Sequence, residues 1–403
     1  MTTAAQVEQI FREEFAGLFA WLVRSLRDFE AAEDALQEAF VIALARWPAD
    51  DVPANPRAWL AVTARNCAID RIRRERRRPA LEEQMHRLTI TGDDPGALDD
   101  EVLRLVFTCC HPALALDARV ALTLRTVCGL GQKEIAGAFL LSETTLAQRL
   151  VRAKRKIRDA GIPYAVPSAE MLAERLEGVL GVVYLVFNEG YVATEGPSLI
   201  RADLCQEAVR LAALLATLMP QEPEVRALLA LLLLTEARRA ARTDVAGEPV
   251  LLPDQDRTLW DQAQIAQGLA ELRRAARHEH AGRYFLQAAI AAEHAGAARA
   301  ADTDWPTIVG LYDALIRLAP SPVARLNRLV AVSMAAGPEV AYDELGTLEA
   351  SLGDYSYYHA ARADLLRRLD RRAGARSAYE RALELATNPK QRAALARAAA
   401  ELD

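Results

Sequence analysis

From Ser142 onward, Leu146, Leu150, Ala153 and Ile157 recur one helical turn apart, and only an amphipathic helix gathers that set onto one side. Ser142 stands where an N-cap belongs. Glu143 falls in the first turn, where the helix dipole favours a negative charge. Just before it, residues 132–139 form a shorter helix with Ile135, Ala136 and Phe139 buried, followed by a turn at Leu140-Leu141. Val120, Leu122, Leu124 and Val127 belong to a third helix that breaks at Gly129-Leu130-Gly131. The pattern predicts a helix-turn-helix over residues 119–158. The outward side of its last helix carries Thr144, Thr145 and Gln148 first, then Arg149, Arg152 and Lys156. A helix entering a major groove needs this order, because its first turns reach base edges and its flanks hold phosphates. A helical hairpin with a solvated, charged outer face has the same pattern, so both readings stand at this point.

The rest of the chain keeps the helical period. At roughly 150 residues per domain, 403 residues make two or three domains. With 52% hydrophobic and 26% charged residues, disorder and collagen-like repetition are excluded. Ala and Leu dominate, and the basic residues are Arg except Lys133, Lys154, Lys156 and Lys390, which predicts an all-α fold. The net charge of −6 means that any nucleic-acid contact is local. Cys67, Cys109, Cys110, Cys128 and Cys205 have no framework spacing, which suits reduced thiols in a cytoplasm. The first residues lack a basic stretch followed by an apolar one, so no signal peptide is expected. The longest apolar run, Ala227–Leu234, is too short for a membrane span. With no phosphate loop, Ser/His/Asp set or HExxH motif, neither an enzyme nor a cofactor or metal site is expected.

A second basic surface lies upstream. Trp59, Thr63, Asn66, Asp70, Arg73, Arg74 and Arg77 share one helical face, and Leu60, Ala64, Cys67, Ala68 and Ile72 fill the other. Arginines crowd residues 65–78, where each could displace a counterion from a phosphate. An exposed, solvated Arg-rich helix end is the plainer reading. Trp59 by itself suits a core anchor better than a base stacker. The preceding helix, Ala31–Trp47, has the apolar stripe Leu36, Phe40, Ala43 and Leu44, while Asp34, Gln37, Glu38 and Val41 point elsewhere. That acidic face suits a basic protein partner or plain solvent.

These segments together carry a resemblance. Residues 32–40, AEDALQEAF, resemble a signature of bacterial sigma factors of the sigma-70 type, and residues 56–71, PRAWLAVTARNCAIDR, resemble the segment that follows it. The helix-turn-helix resembles the fourth domain of these factors, and only the second and fourth domains have counterparts, as in the extracytoplasmic-function (ECF) group. The resemblance covers about residues 8–160. Leu146 departs from the Val common at its position, and ordinary members lack everything after residue 165.

The resemblance implies a layout: a second sigma domain at 1–78, an acidic linker at 79–101, a fourth sigma domain at 102–160 and a regulatory domain at 168–403. It implies core RNA polymerase and promoter DNA as partners. Asp34, Gln37, Glu38, Phe40 and Val41 would dock on the β′ clamp, and the fourth domain on the β flap. Asn55, Arg57, Trp59, Thr63, Asn66, Asp70, Arg73, Arg74 and Arg77 would melt and read the −10 element, with a flipped base held near residues 47–55. Thr144, Thr145, Gln148, Arg149, Arg152 and Lys156 would read the −35 element. The linker, with Glu82, Glu83, Asp93, Asp94, Asp99 and Asp100, would thread the polymerase channels. A helix-turn-helix operator binder with a sensor domain is the rival reading, and it has no need of the 32–40 and 56–71 motifs.

Helix follows helix after Ala169. Ala375, Tyr379, Ala382, Leu383 and Leu385, with Pro389 beyond, resemble the second helix of a tetratricopeptide (TPR) repeat. Tyr312, Leu315, Leu318 and Pro320 repeat that spacing about two periods earlier. Such an array has a concave face suited to a peptide or protein, and the whole resembles an ECF group with a TPR-like extension acting in cis. Asn188, Glu189 and Tyr191 follow an apolar run and cap a turn or line a ligand or interdomain pocket. Asp254, Asp256, Arg257 and Trp260 form a helix N-cap or a salt-bridged domain contact. Cys109 and Cys110 are packing residues, because adjacent cysteines do not easily share one tetrahedral ion.

Overall fold

A computed structural model describes residues 3–50, 52–74, 95–139, 141–193, 198–278 and 282–402. These are α-helical, apart from turns, short 3-10 segments and one bridge between Thr243 and Pro249. No described helix is long and apolar enough to cross a membrane. The chain divides into two compact units, Met1–Val183 and Tyr184–Asp403.

The first unit begins with α1 (Thr3–Leu26), α2 (Phe29–Asp50) and α3 (Pro56–Arg74). Asp28 caps α2 by accepting the N–H groups of Glu30 and Ala31, and Asn55 caps α3 through Ala58 N–H at 3.0 Å. Leu18, Phe19 and Leu22 of α1, Leu36 and Ala43 of α2, and Leu60 and Ala64 of α3 are all buried. Phe11, Phe15 and Phe19 run along α1 in ring contact, and Phe40 meets Phe11 edge-on.

Helix α4 (Pro95–Cys109) starts inside the segment expected as linker. Pro95 and Gly96 look like breakers, but proline fits a first helical turn, and Val102, Leu105, Val106 and Cys109 give the helix a buried stripe. Residues 75–94, with Arg77, Glu82, Glu83, Asp93 and Asp94, lie outside the described residues. Glu101, at the end of the expected linker, is buried and pairs with Arg24 at 3.0 Å and Arg104 at 3.4 Å.

Helices α5 (Leu116–Thr126), α6 (Gln132–Ala138) and α7 (Glu143–Asp159) form the helix-turn-helix. Gly129 turns with a φ of +71°, and a Cβ there would lie 3.1 Å from the Phe15 ring. The N–H of Gly131 donates to Glu134 at 2.6 Å, and Ser142 Oγ accepts from Thr145 N–H at 3.0 Å. Phe139, expected to be buried, is half-buried, and Leu140 lies outside the described residues.

The unit does not end with α7. Tyr164 donates its hydroxyl to the carbonyls of Ala20 and Glu101, at 2.9 and 3.1 Å. Burial pushes this phenol far above its ordinary pKa. Helix α8 (Ala169–Tyr191) places Arg175 Nη2 2.7 Å from the Phe107 carbonyl. The compact unit thus runs fifteen residues past the expected start of the C-terminal domain at 168.

The second unit stacks α9 (Ala202–Leu218), α10 (Pro223–Glu236), α11 (Gln262–Ala275), α12 (Arg283–Gly296), α13 (Trp305–Leu318), α14 (Pro322–Ala335), α15 (Pro338–Leu345), α16 (Glu349–Leu352), α17 (Ser356–Arg368), α18 (Arg372–Leu385) and α19 (Pro389–Ala400). Local cores join successive pairs, such as Ala363 and Leu366 of α17 with Ala375, Tyr379 and Ala382 of α18. The ends of the array meet. Asn388 Nδ2 donates to the carbonyls of Ala193 and Ser198, Lys390 to that of Ala246, and Arg397 pairs with Glu248.

Candidate functional site

The outer face of α7 is the clearest candidate surface. Its inner face is held by Leu146, Leu150, Ala153 and Ile157, all buried. Thr144, Thr145, Gln148, Arg152 and Lys156 are exposed on the other side, as the periodicity predicts. Arg149 is half-buried and pairs with Asp117 at 3.2 Å. Thr144, Ala147, Gln148, Val151, Arg152 and Arg155 line a shallow depression along this face. Val151 and Arg155 escaped the sequence reading. Val151 is 58% exposed amid polar neighbours and could offer an apolar contact to a thymine methyl. Their signal was positional, since 148, 151 and 155 follow one another at helical spacing.

On α2, Gln37 and Glu38 are exposed, and Val41 is 64% exposed beside Leu44, at 49%. This makes a mixed acidic and apolar surface, and Leu44, expected in the buried stripe, belongs to it. Asp34 pairs with Arg71 of α3. Phe40 is packed against Phe11 and only 5% exposed, so its role here is to hold α2 on α1 and not to make an outward contact.

The α3 candidates divide by task. Asn66 and Asp70 are exposed. Arg57 pairs with Glu14 at 3.2 Å, Thr63 donates to the Trp59 carbonyl at 2.8 Å, and Asn55 serves as the helix cap. Trp59 meets the buried Trp47 edge-on at 5.4 Å, which makes it a half-buried anchor. Arg73 and Arg74 lie on the last turn of α3, and Arg77 lies outside the described residues.

Sequence reading did not find Glu33, where three helices converge. Arg125 of α5 and Lys154 of α7 both donate to its carboxylate. Burial works to raise its pKa, but Lys154 and Arg125 outweigh burial and hold it below the ordinary value. Cys109 and Cys110 are buried, their sulfurs 3.2 and 3.4 Å from Thr126 and Thr123 hydroxyls, as packing residues.

In the second unit the Asp254–Trp260 segment behaves first as a cap. Asp256 accepts from the N–H and hydroxyl of Thr258, at 2.9 and 2.7 Å. Asp254 is exposed at the end of a 3-10 turn. Arg257 packs over the Trp260 ring, 4.3 Å from its centroid, and donates to the carbonyls of His294 and Ala297. Asn188 is exposed and Glu189 half-buried. The Tyr191 ring carries the Arg242 guanidinium 3.2 Å above it, and its hydroxyl accepts from Arg238 at 3.3 Å.

Three family models match separate stretches of the chain, the third of them across the boundary between the two units. Residues 10–78 match Sigma-70 region 2 and residues 104–157 match Sigma-70, region 4. Residues 175–276 match a family of unknown function, DUF6596. An uncharacterised protein of Rhizobium meliloti is 47% identical over 92% of this chain and 90% of its own length. The ECF RNA polymerase sigma factor SigC of Mycobacterium tuberculosis is 31% identical over 36% of this chain and 76% of its own length. The ECF factor SigM of Bacillus subtilis is 24% identical over 38% of this chain and 93% of its own length. No solved structure matches.

Proposed function

The chain belongs to the extracytoplasmic-function group of sigma-70 RNA polymerase sigma factors, and on that premise we propose that it directs core polymerase to promoters whose −35 element is read by α7 and whose −10 element is read at α3, under control in cis by its C-terminal helical unit. The observation that carries this reading is the order of groups along α7. Hydrogen-bonding Thr144 and Gln148 come first, the apolar Val151 next, and the cations Arg152, Arg155 and Lys156 last. Gln148 can pair with an adenine edge and Arg152 with a guanine or a phosphate. Gln37, Glu38, Val41 and Leu44 form the docking surface for the β′ clamp, with Phe40 acting from inside. The β flap then holds the helix-turn-helix over duplex DNA.

The test is transcription in vitro from a promoter library, with purified core polymerase and the full chain. Specific starts that shift in sequence preference with Gln148→Ala support the reading. A chain that binds duplex DNA without core and yields no starts would be an operator binder. If Glu38→Arg co-purifies with core as well as wild type does, the α2 docking surface is wrong.

A further inference from the structure

One cluster in the second unit is left unexplained by promoter recognition. Arg238 and Arg257 both lie over the Trp260 ring, at 5.8 and 4.3 Å from its centroid. Among the described residues, neither guanidinium forms an ion pair with a carboxylate. The nearby acids make their close contacts elsewhere, Glu236 with Arg239, Asp302 with Nε and Nη2 of Arg299, and Asp256 with Thr258, although Asp302 still attracts Arg257 and Glu236 still attracts Arg242 from a distance. Arg242 adds a third cation, stacked on Tyr191. On Arg257 the repulsion from Arg238 outweighs the attraction of Asp302.

The same cluster holds polar atoms with no partner. Trp260 is only 3% exposed, yet its indole N–H is unsatisfied. Arg257 Nε and His294 Nδ1 are also buried and unpaired. An orphaned buried polar atom is costly, and three such atoms beside two guanidiniums without a close counter-ion are costlier still. Burial, reinforced by Arg238 and Arg257, lowers the His294 pKa to about 4, so the ring is neutral at pH 7 and offers one N–H. Arg257 is held in place by the His294 and Ala297 carbonyls, both 2.7 Å away. Arg257 is thus fixed in place, while its Nε, the Trp260 indole N–H and His294 Nδ1 have no partner.

We propose that Arg238, Arg257, Trp260 and His294 form a binding site for the oxyanion of a small molecule, a phosphate or a carboxylate. Two guanidiniums supply the charge, the indole N–H supplies direction, and the imidazole adds a second N–H in its Nδ1-protonated tautomer. The site goes beyond promoter recognition, and its binding can be measured without polymerase. Its ligand would be the input that the C-terminal unit senses.

Thermal melting and tryptophan fluorescence of the full chain would be followed in sodium phosphate and in sodium acetate, each against sodium chloride at matched ionic strength. The expected result is a saturable rise in Tm with at least one oxyanion, accompanied by a fluorescence change that Trp260→Phe removes. Arg238→Gln should abolish the rise. In chloride this variant also loses the hydrogen bond from Arg238 to Tyr191, so each protein is compared with itself, in oxyanion against chloride. A rise with phosphate alone identifies a phosphoryl ligand, and a rise with acetate identifies a carboxylate. The proposal is overturned if neither anion exceeds chloride, or if Arg238→Gln keeps the full rise.

Discussion

Glu33 shows how much a single residue can decide and how little of that is visible in its neighbours. It lies within AEDALQEAF, where it reads as one more acid on a solvated face, yet its partners Arg125 and Lys154 are 92 and 121 residues away. Glu33→Gln keeps the shape but leaves two cations without their counter-charge, so we expect a loss of about 1.5–3 kcal/mol in chemical denaturation. The pH dependence follows from the lowered pKa. Stability from Glu33 is complete above the ordinary carboxylate range and is lost as pH falls through the folded-state value. The gap between wild type and Glu33→Gln should therefore close on acidification; a gap that widened would contradict the ion triad. Gly129 makes a second demand of this kind. Its positive φ strains any side chain and a Cβ would press on the Phe15 ring, so Gly129→Ala should cost about 1–3 kcal/mol by the same measurement.

Elements were legible where local chemistry decides them. The α7 helix announces itself through its cap, its first-turn acid and its four buried residues, and its exposed face followed from the period alone. Ser142→Ala should cost about 1 kcal/mol of stability, because Thr145 N–H loses its acceptor, and equal melting of the two proteins would deny the cap. The start of α4 was not legible. Pro95-Gly96 reads as punctuation, and the reason for helix there lies in the packing of α4 on α1. The division of the α3 face also escaped the period, because Arg57 is occupied by Glu14 of α1, which a helical wheel of α3 does not contain.

At the scale of the whole molecule, the joint at Gly161–Pro167 is a fastening within the first unit. Tyr164 and Arg175 hold α1 and α4 through three backbone carbonyls. A chain ending at Gly161 should therefore melt well below one ending at Val183, by several degrees in a thermal scan; equal melting would show that residues 162–183 add nothing to the stability of the first unit. The tie between the ends of the helical array, carried by contacts up to 195 residues apart, could not be read from helix pairs that each specify only their neighbours. Asn388 is its clasp, and Asn388→Ala should loosen the first and last helices together in hydrogen exchange. Stacked helix pairs ordinarily behave as a row, with ends that fray and a middle that does not notice. Here the last helix is tied through Asn388 to the stretch that leads into the first, so fraying at either end has to break contacts made by the other.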